Sequence, residues 1–162
     1  MTRTATTHWL AVLSITLAGV GLTGCSLLGT ITGEAAPNED GSSTTDVFTI
    51  MVGDCLNNGG TTGEVSDVAV IDCQTAHDSE AFTSVMMADG DFPGETAVAA
   101  QAVSECTSAF TNFVGLDYES SSLDFSYYHP TEESWASNDR EILCVVLDPK
   151  GKTTGTLEAA AK

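Results

Sequence analysis

The chain has 162 residues, with 23 Asp and Glu against five Lys and Arg and a formal net charge of −18. A surface of that sign repels nucleic acid and anionic lipid headgroups, which excludes both as direct ligands. The length suits one domain with tails, and the charge itself reads as solubility.

In chain order, Arg3 and the amino terminus come first, followed by the apolar run Leu10–Leu22 (LAVLSITLAGVGL). At about 13 residues, this run has the length of a secretory h-region and is short for a membrane span. Leu22-Thr23-Gly24-Cys25 closes it. That ending resembles the bacterial lipobox. The resemblance implies a signal peptide over 1–24, cleavage before Cys25, and a diacylglycerol group on the Cys25 sulfur. The new amine would then carry a fatty acyl chain of the palmitate type. Two or three acyl chains, at about 0.8 kcal/mol per buried CH₂, hold a protein on a membrane essentially permanently. The expected address is the extracytoplasmic face of the cell membrane. Cleavage also removes Arg3, taking the formal charge from −18 to −19.

Taking Cys25 for lipid leaves Cys55, Cys73, Cys106 and Cys144. Export implies an oxidising compartment, and four cysteines allow three disulfide connectivities. Pairing near neighbours, Cys55 with Cys73 and Cys106 with Cys144, closes loops of roughly 19 and 39 residues. The chain-entropy contribution of such loops is about 3 and 4 kcal/mol. None of the spacings resembles CxxC or HxxxH, so no structural zinc and no other cofactor is expected.

Residues 25–46, beyond the acylated cysteine, are Gly-, Ser-, Thr- and acid-rich and read as a flexible tether. About 20 such residues reach about 25 Å on average and about 70 Å fully extended. A folded domain is expected over 47–158, with a fraying tail at 159–162. It opens on an apolar stretch, Val47–Val52, expected as a strand. Val68, Val70 and Ile71 read as a second strand and Glu80–Met87 as a third, its buried face left open by the pattern. A helix follows over Glu95–Phe113, with Ala99, Val103, Cys106, Phe110 and Phe113 on one face. Gly115 stops it. Leu123–Tyr128 alternates as a half-buried strand, Pro130–Asn138 is a short helical turn and loop, and Glu141–Leu147 (EILCVVL) is a central strand. The order β-β-β-α-β-β predicts an α+β domain, a small, mostly antiparallel sheet packed by one main helix and stapled by two disulfides.

Two constellations could carry chemistry. His77, Asp78 and Glu80 follow Cys73 closely, but in an extended segment His77 and Asp78 point to opposite faces and cannot share an ion. A histidine held by a backbone carbonyl or nearby carboxylate is the stronger reading. In the second, Arg140 is the only arginine left after cleavage. It is expected to lock its loop onto Glu80, Asp78 or Asp72, with Trp135 covering the junction. A pocket formed by His77, Glu80, Trp135 and Arg140 is the alternative, suited to a small ligand or cation. No GxSxG elbow, SxxK pair or HExxH helix is present, so catalysis is not expected.

Val52-Gly53-Asp54-Cys55-Leu56, Val70-Ile71-Asp72-Cys73, and His77-Asp78-Ser79-Glu80 occur in that order. Phe92-Pro93-Gly94, Cys106, Pro130, Ser134-Trp135, Asp139-Arg140 and Cys144 follow. Together they resemble the septum-formation domain of actinobacterial exported proteins, across roughly Val47–Leu157. The resemblance fits the near-neighbour disulfide pairing and carries over no catalytic residue. The family's name associates it with septum formation in cell division. With the residue readings above, the expectation is a non-catalytic binding or scaffold domain whose partner is a division or envelope protein or a wall component. Oligomeric state is left open. Two departures stand out: the lipobox, and Asn138 where glycine is expected.

Overall fold

A computed structural model of the chain describes residues 38–58 and 65–162. The expected signal peptide over 1–24 and the expected lipid site Cys25 lie outside them. Six strands form one antiparallel sheet: β1 (Ser43–Asp46), β2 (Cys55–Asn57), β3 (Asp67–Ile71), β4 (Ser79–Met86), β5 (Asp124–Tyr128) and β6 (Glu141–Leu147). Their spatial order is β1-β3-β2-β4-β6-β5. Helix α1 (Glu95–Val114) joins β4 to β5, and the single-turn helix α2 (Glu132–Ala136) joins β5 to β6. The α+β expectation holds, and both expected disulfides are present: Cys55–Cys73 and Cys106–Cys144. Among the described residues no helix is long and apolar enough to cross a membrane.

The start of the domain differs from expectation. Val47–Val52 is not a strand; Val47–Thr49 forms a 3₁₀ turn, capped by Asp46, whose carboxylate accepts from the Phe48 N–H. The first strand is Ser43–Asp46, inside the stretch read as tether, and it pairs with Asp67–Val70 of β3. Its four polar residues bury little, and pairing to β3 holds them where hydrophobicity gives no cue.

β6 is the axis of the fold, with an interior place between β4 and β5. Ile142, Cys144 and Val146 face α1, while Leu143 and Val145 join a second cluster with Ile50, Leu56, Val68 and Ala81 on the opposite face. A strand covered on both faces reads as a continuous apolar run, as this one does. β4 explains its ambiguous pattern similarly. Its first four residues are all buried, and its second half alternates, because the far face is covered only at one end. A bulge between Ala81 and Thr83 lets Phe82 enter the α1 core, edge-on to Phe110 at 6.2 Å.

α1 ends one residue beyond expectation, and Gly115 caps it in the left-handed region at φ 82°. Its buried line is Val98, Ala102, Cys106, Phe110 and Val114. The expected line is therefore rotated: Val103 is 47% exposed. The Cys106–Cys144 bond seats Cys106 directly on β6, so the residues one turn away at i±4 line the contact.

The carboxyl-terminal segment does not fray. The N–H groups of Ala159 and Ala161 donate to the Phe113 and Val114 carbonyls, filling orphan acceptors at the end of α1. Leu157 is buried in the α1 core. Asp148, just after β6, accepts from the Lys150 N–H and the Lys162 ammonium, which together hold its carboxyl below the usual range. Asp40 is lowered in the same direction, chiefly by the Ser42 hydroxyl and N–H. Depressed carboxyls contribute stability that is complete above the unfolded value, about 3.9, and lost as pH falls through the folded one. The melting temperature is therefore expected to fall below about pH 4, and Asp148→Asn should flatten that acid limb in thermal scans at pH 5 and pH 3.

Candidate functional site

The β2–β4 register sets Cys55 opposite Glu80, and His77 stands just before β4. One sulfur, one imidazole nitrogen and one carboxylate oxygen from these buried residues lie within 4.8 Å of one another. The residue types suit a metal, but their bonding is already assigned. Cys55 is in a disulfide, and thiolate is the form that ligates metals. His77 Nδ1 meets the Thr75 carbonyl at 2.9 Å and so carries a hydrogen, while Nε2 faces the Thr153 hydroxyl at 3.2 Å. Glu80 accepts from Thr156 Oγ1 and from the Leu157 N–H, both at 2.6 Å. Backbone bonds follow the same route: His77 and Thr153 exchange N–H···O bonds of 3.0 and 2.9 Å, and the Gly155 N–H donates to the Cys73 carbonyl at 2.6 Å. His77 and Glu80 thus form a buckle that straps residues 153–157 to the sheet.

Arg140 is elsewhere. It precedes β6, and Met86 pairs with Glu141, whereas Glu80 pairs with Val146. About five residues of extended chain, roughly 17 Å, separate the two ends. The expected bond to Glu80, Asp78 or Asp72 is replaced by others. Arg140 Nη1 donates to the Trp135 and Asp139 carbonyls at 2.9 and 2.7 Å. The guanidinium carbon sits 3.8 Å from the Trp135 ring centroid, and Nε lies 3.4 Å from Asp89 Oδ1. Trp135 Nε1 donates to the Gly90 carbonyl, and its ring packs on Phe92. Asp78 instead faces Lys152 at 3.7 Å. The four residues His77, Glu80, Trp135 and Arg140 therefore make two packed junctions at opposite ends of the β4–β6 ladder. Asn138 occupies the left-handed region at φ 71°, which asparagine tolerates better than most residues, so the turn keeps a glycine-like geometry.

Asp89 is 98% exposed at its side chain, so its ion pair adds little. Stacking on Trp135 and two carbonyl bonds make up the rest. Arg140→Ala is expected to cost about 1–2 kcal/mol. Arg140→Lys should recover only part of it, because an ammonium cannot stack and fork together. An unchanged melting temperature for Arg140→Ala would contradict this assignment.

The open concavity lies between the Val47–Thr49 turn and the β5–α2 connection, with Leu143 of the second cluster in its wall and Glu95, at the start of α1, at its edge. One lobe encloses about 440 Å³ and adjoins another of about 560 Å³, sharing Phe48, Val65, Asp139 and Glu141 as walls. Val47, Tyr128 and Leu143 line the first lobe, and Met86 the second. Phe48 and Met86 are 59% and 65% exposed. Burial pushes the Tyr128 phenol up, partly offset by the hydrogen bond it accepts from Asn58 Nδ2. Glu95 and Glu133 add carboxylates to the rim. Sequence reasoning missed this groove, since its residues come from five separate stretches. The available signal was the doubly apolar β6 run, which requires something on the second face.

Ser134, His129 and Asp139 all line the groove, but not as a triad. Ser134 Oγ donates directly to Asp139 Oδ2 at 2.8 Å and accepts from the Thr131 N–H in the α2 capping box. His129 Nδ1 faces the Pro130 carbonyl at 3.0 Å. In a triad the imidazole takes the hydroxyl proton, whereas here the Ser134 hydroxyl donates to the Asp139 carboxylate and His129 turns Nδ1 to the Pro130 carbonyl.

No curated protein and no solved structure matches the chain. A family model described as septum formation matches residues 52–162, which takes in both disulfides, the His77–Glu80 buckle, the Trp135–Arg140 junction and the docked carboxyl-terminal segment. With well over half its length matched by that model, this chain belongs to the septum-formation family.

Proposed function

We propose that this protein is an extracytoplasmic lipoprotein, acylated on Cys25, whose domain is a non-catalytic binding or scaffold module acting in cell division or the envelope. The observation that carries this reading is a division of labour among the side chains. The residues with chemical potential are spent on packing: His77 and Glu80 hold the carboxyl-terminal strap, and Arg140, at the edge of the groove, holds Trp135. The groove itself presents apolar walls and carboxylates to solvent. Family membership supports the envelope setting. The lipobox-like Leu22–Cys25 supports the anchor. A small-ligand or cation site built from His77, Glu80 and Arg140 is the weaker reading, since the first two are satisfied internally and the third stands at the other end of β4.

The test compares the tagged full chain with its Cys25→Ala variant in dividing cells. The wild type is expected in the membrane fraction and concentrated at division sites, and Cys25→Ala in neither. A uniform surface distribution of the wild type would contradict the septal role.

A further inference from the structure

We propose that the groove between the Val47–Thr49 turn and α2 docks a basic segment of a partner protein, one in which lysines or arginines are interspersed with apolar residues. This rests on the binding reading above and names the chemistry of the partner. The first argument is charge. Asp46, Glu95, Glu133, Asp139 and Glu141 line the two lobes. The one lysine or arginine among the lining is Arg140, whose guanidinium is turned onto the Trp135 ring and Asp89, and the lining His129 turns Nδ1 to the Pro130 carbonyl. Asp139 and Glu141 are held in place by Ser134 and Ser84, so part of the negative rim is pre-positioned. Glu95 and Glu133 are exposed at the surface.

The second argument is the wall material. Phe48, Tyr127 and Tyr128 present aromatic surface beside those carboxylates. Aromatic faces attract ammonium and guanidinium groups, and lysine and arginine bring apolar stems that cover such surface. Val47, Leu143 and Met86 offer sites for intervening apolar side chains. A small inorganic cation would use the carboxylates and leave these walls exposed.

The third argument is elimination. Among the described residues the lysines are placed elsewhere: Lys152 pairs with Asp78, Lys162 with Asp148, and Lys150 sits in the turn after β6. A second copy brings the same large negative charge and is repelled. Nucleic acid and anionic lipid are repelled for the same reason. A foreign basic polypeptide remains.

The experiment uses the full chain in non-ionic detergent micelles and a dye-labelled short peptide of alternating lysine and valine, followed by fluorescence anisotropy. Saturable binding that weakens with added salt is expected. Glu95→Gln with Glu133→Gln should weaken it about tenfold, and Phe48→Ala about fivefold. Glu119→Gln with Glu158→Gln makes the same charge change at exposed positions outside the groove and should weaken binding less than about twofold. Equal weakening by the two pairs, no effect of Phe48→Ala, equal binding of a glutamate–valine peptide, or no binding of the lysine–valine peptide would each overturn the proposal. Those failures leave membrane attachment and septal localisation untouched, so they are distinguishable from failure of the function proposed above.

Discussion

Replacing Cys106 and Cys144 together by alanine is expected to lower the unfolding free energy by about 4 kcal/mol, a fall in melting temperature on the order of 10–20 °C. The bond spans 38 positions of sequence and ties α1 to β6, an interior strand that its core packs on. Without it the unfolded chain regains that loop's freedom, and α1 keeps only its packing through Val98, Ala102, Phe110 and Val114. The double replacement avoids leaving an unpaired thiol in an apolar site. Removing Cys55 and Cys73 instead opens a shorter span of 18 positions and is expected to cost about 3 kcal/mol. Denaturant melts of the two double variants check the ranking. A larger loss from the shorter loop, or no loss from either, would contradict the role assigned to the staples.

Glu80→Ala is expected to release the carboxyl-terminal strap at a cost of about 2–4 kcal/mol. The carboxylate is buried, and burial of a charge is tolerated only when its oxygens are well bonded. Here one oxygen takes the Thr156 hydroxyl and the other the Leu157 N–H. Truncation leaves the Leu157 N–H without its partner and loosens a side chain that belongs to the α1 core. Glu80→Gln keeps the shape but has one acceptor oxygen in place of two, so an intermediate loss is expected. Hydrogen exchange separates this from general destabilisation. Protection should fall first at residues 153–161, where N–H groups bond to His77, Cys73, Phe113 and Val114, with β6 affected less. Unaltered exchange across that segment would contradict the buckle.

These two expectations also show what the amino-acid sequence could and could not disclose. The disulfide staples and α1 were legible because their signals are compact: four cysteines left once Cys25 is set aside for lipid, apolar residues at helical spacing, and a glycine stop. The phase of α1 was not. Val98, Ala99, Ala102 and Val103 are all apolar, so periodicity alone supports two adjacent faces, and the contact of Cys106 with β6 selects between them. β1 escaped notice because Ser43–Asp46 is held by pairing to β3 rather than by buried side chains. The partner of Arg140 was misassigned because strand register, invisible in composition, carries it to the far end of β4 from Glu80. Glu80 itself bonds to residues 76 and 77 positions away, and no local pattern announces a contact of that range. The groove was the least legible feature, being a consequence of topology: it needs β1, β5 and α2 placed before its walls exist.

The proposed placement of the domain at the outer face of the membrane depends on Cys25, and the intact mass of the chain recovered from membranes tests it most directly. The expected species begins at Cys25, lacks residues 1–24, and carries a diacylglyceryl group with a further acyl chain on the new amine. Cys25→Ala should abolish that species. A chain that retains residues 1–24, or one cleaved elsewhere and bearing an unmodified Cys25, would contradict the anchored-lipoprotein account.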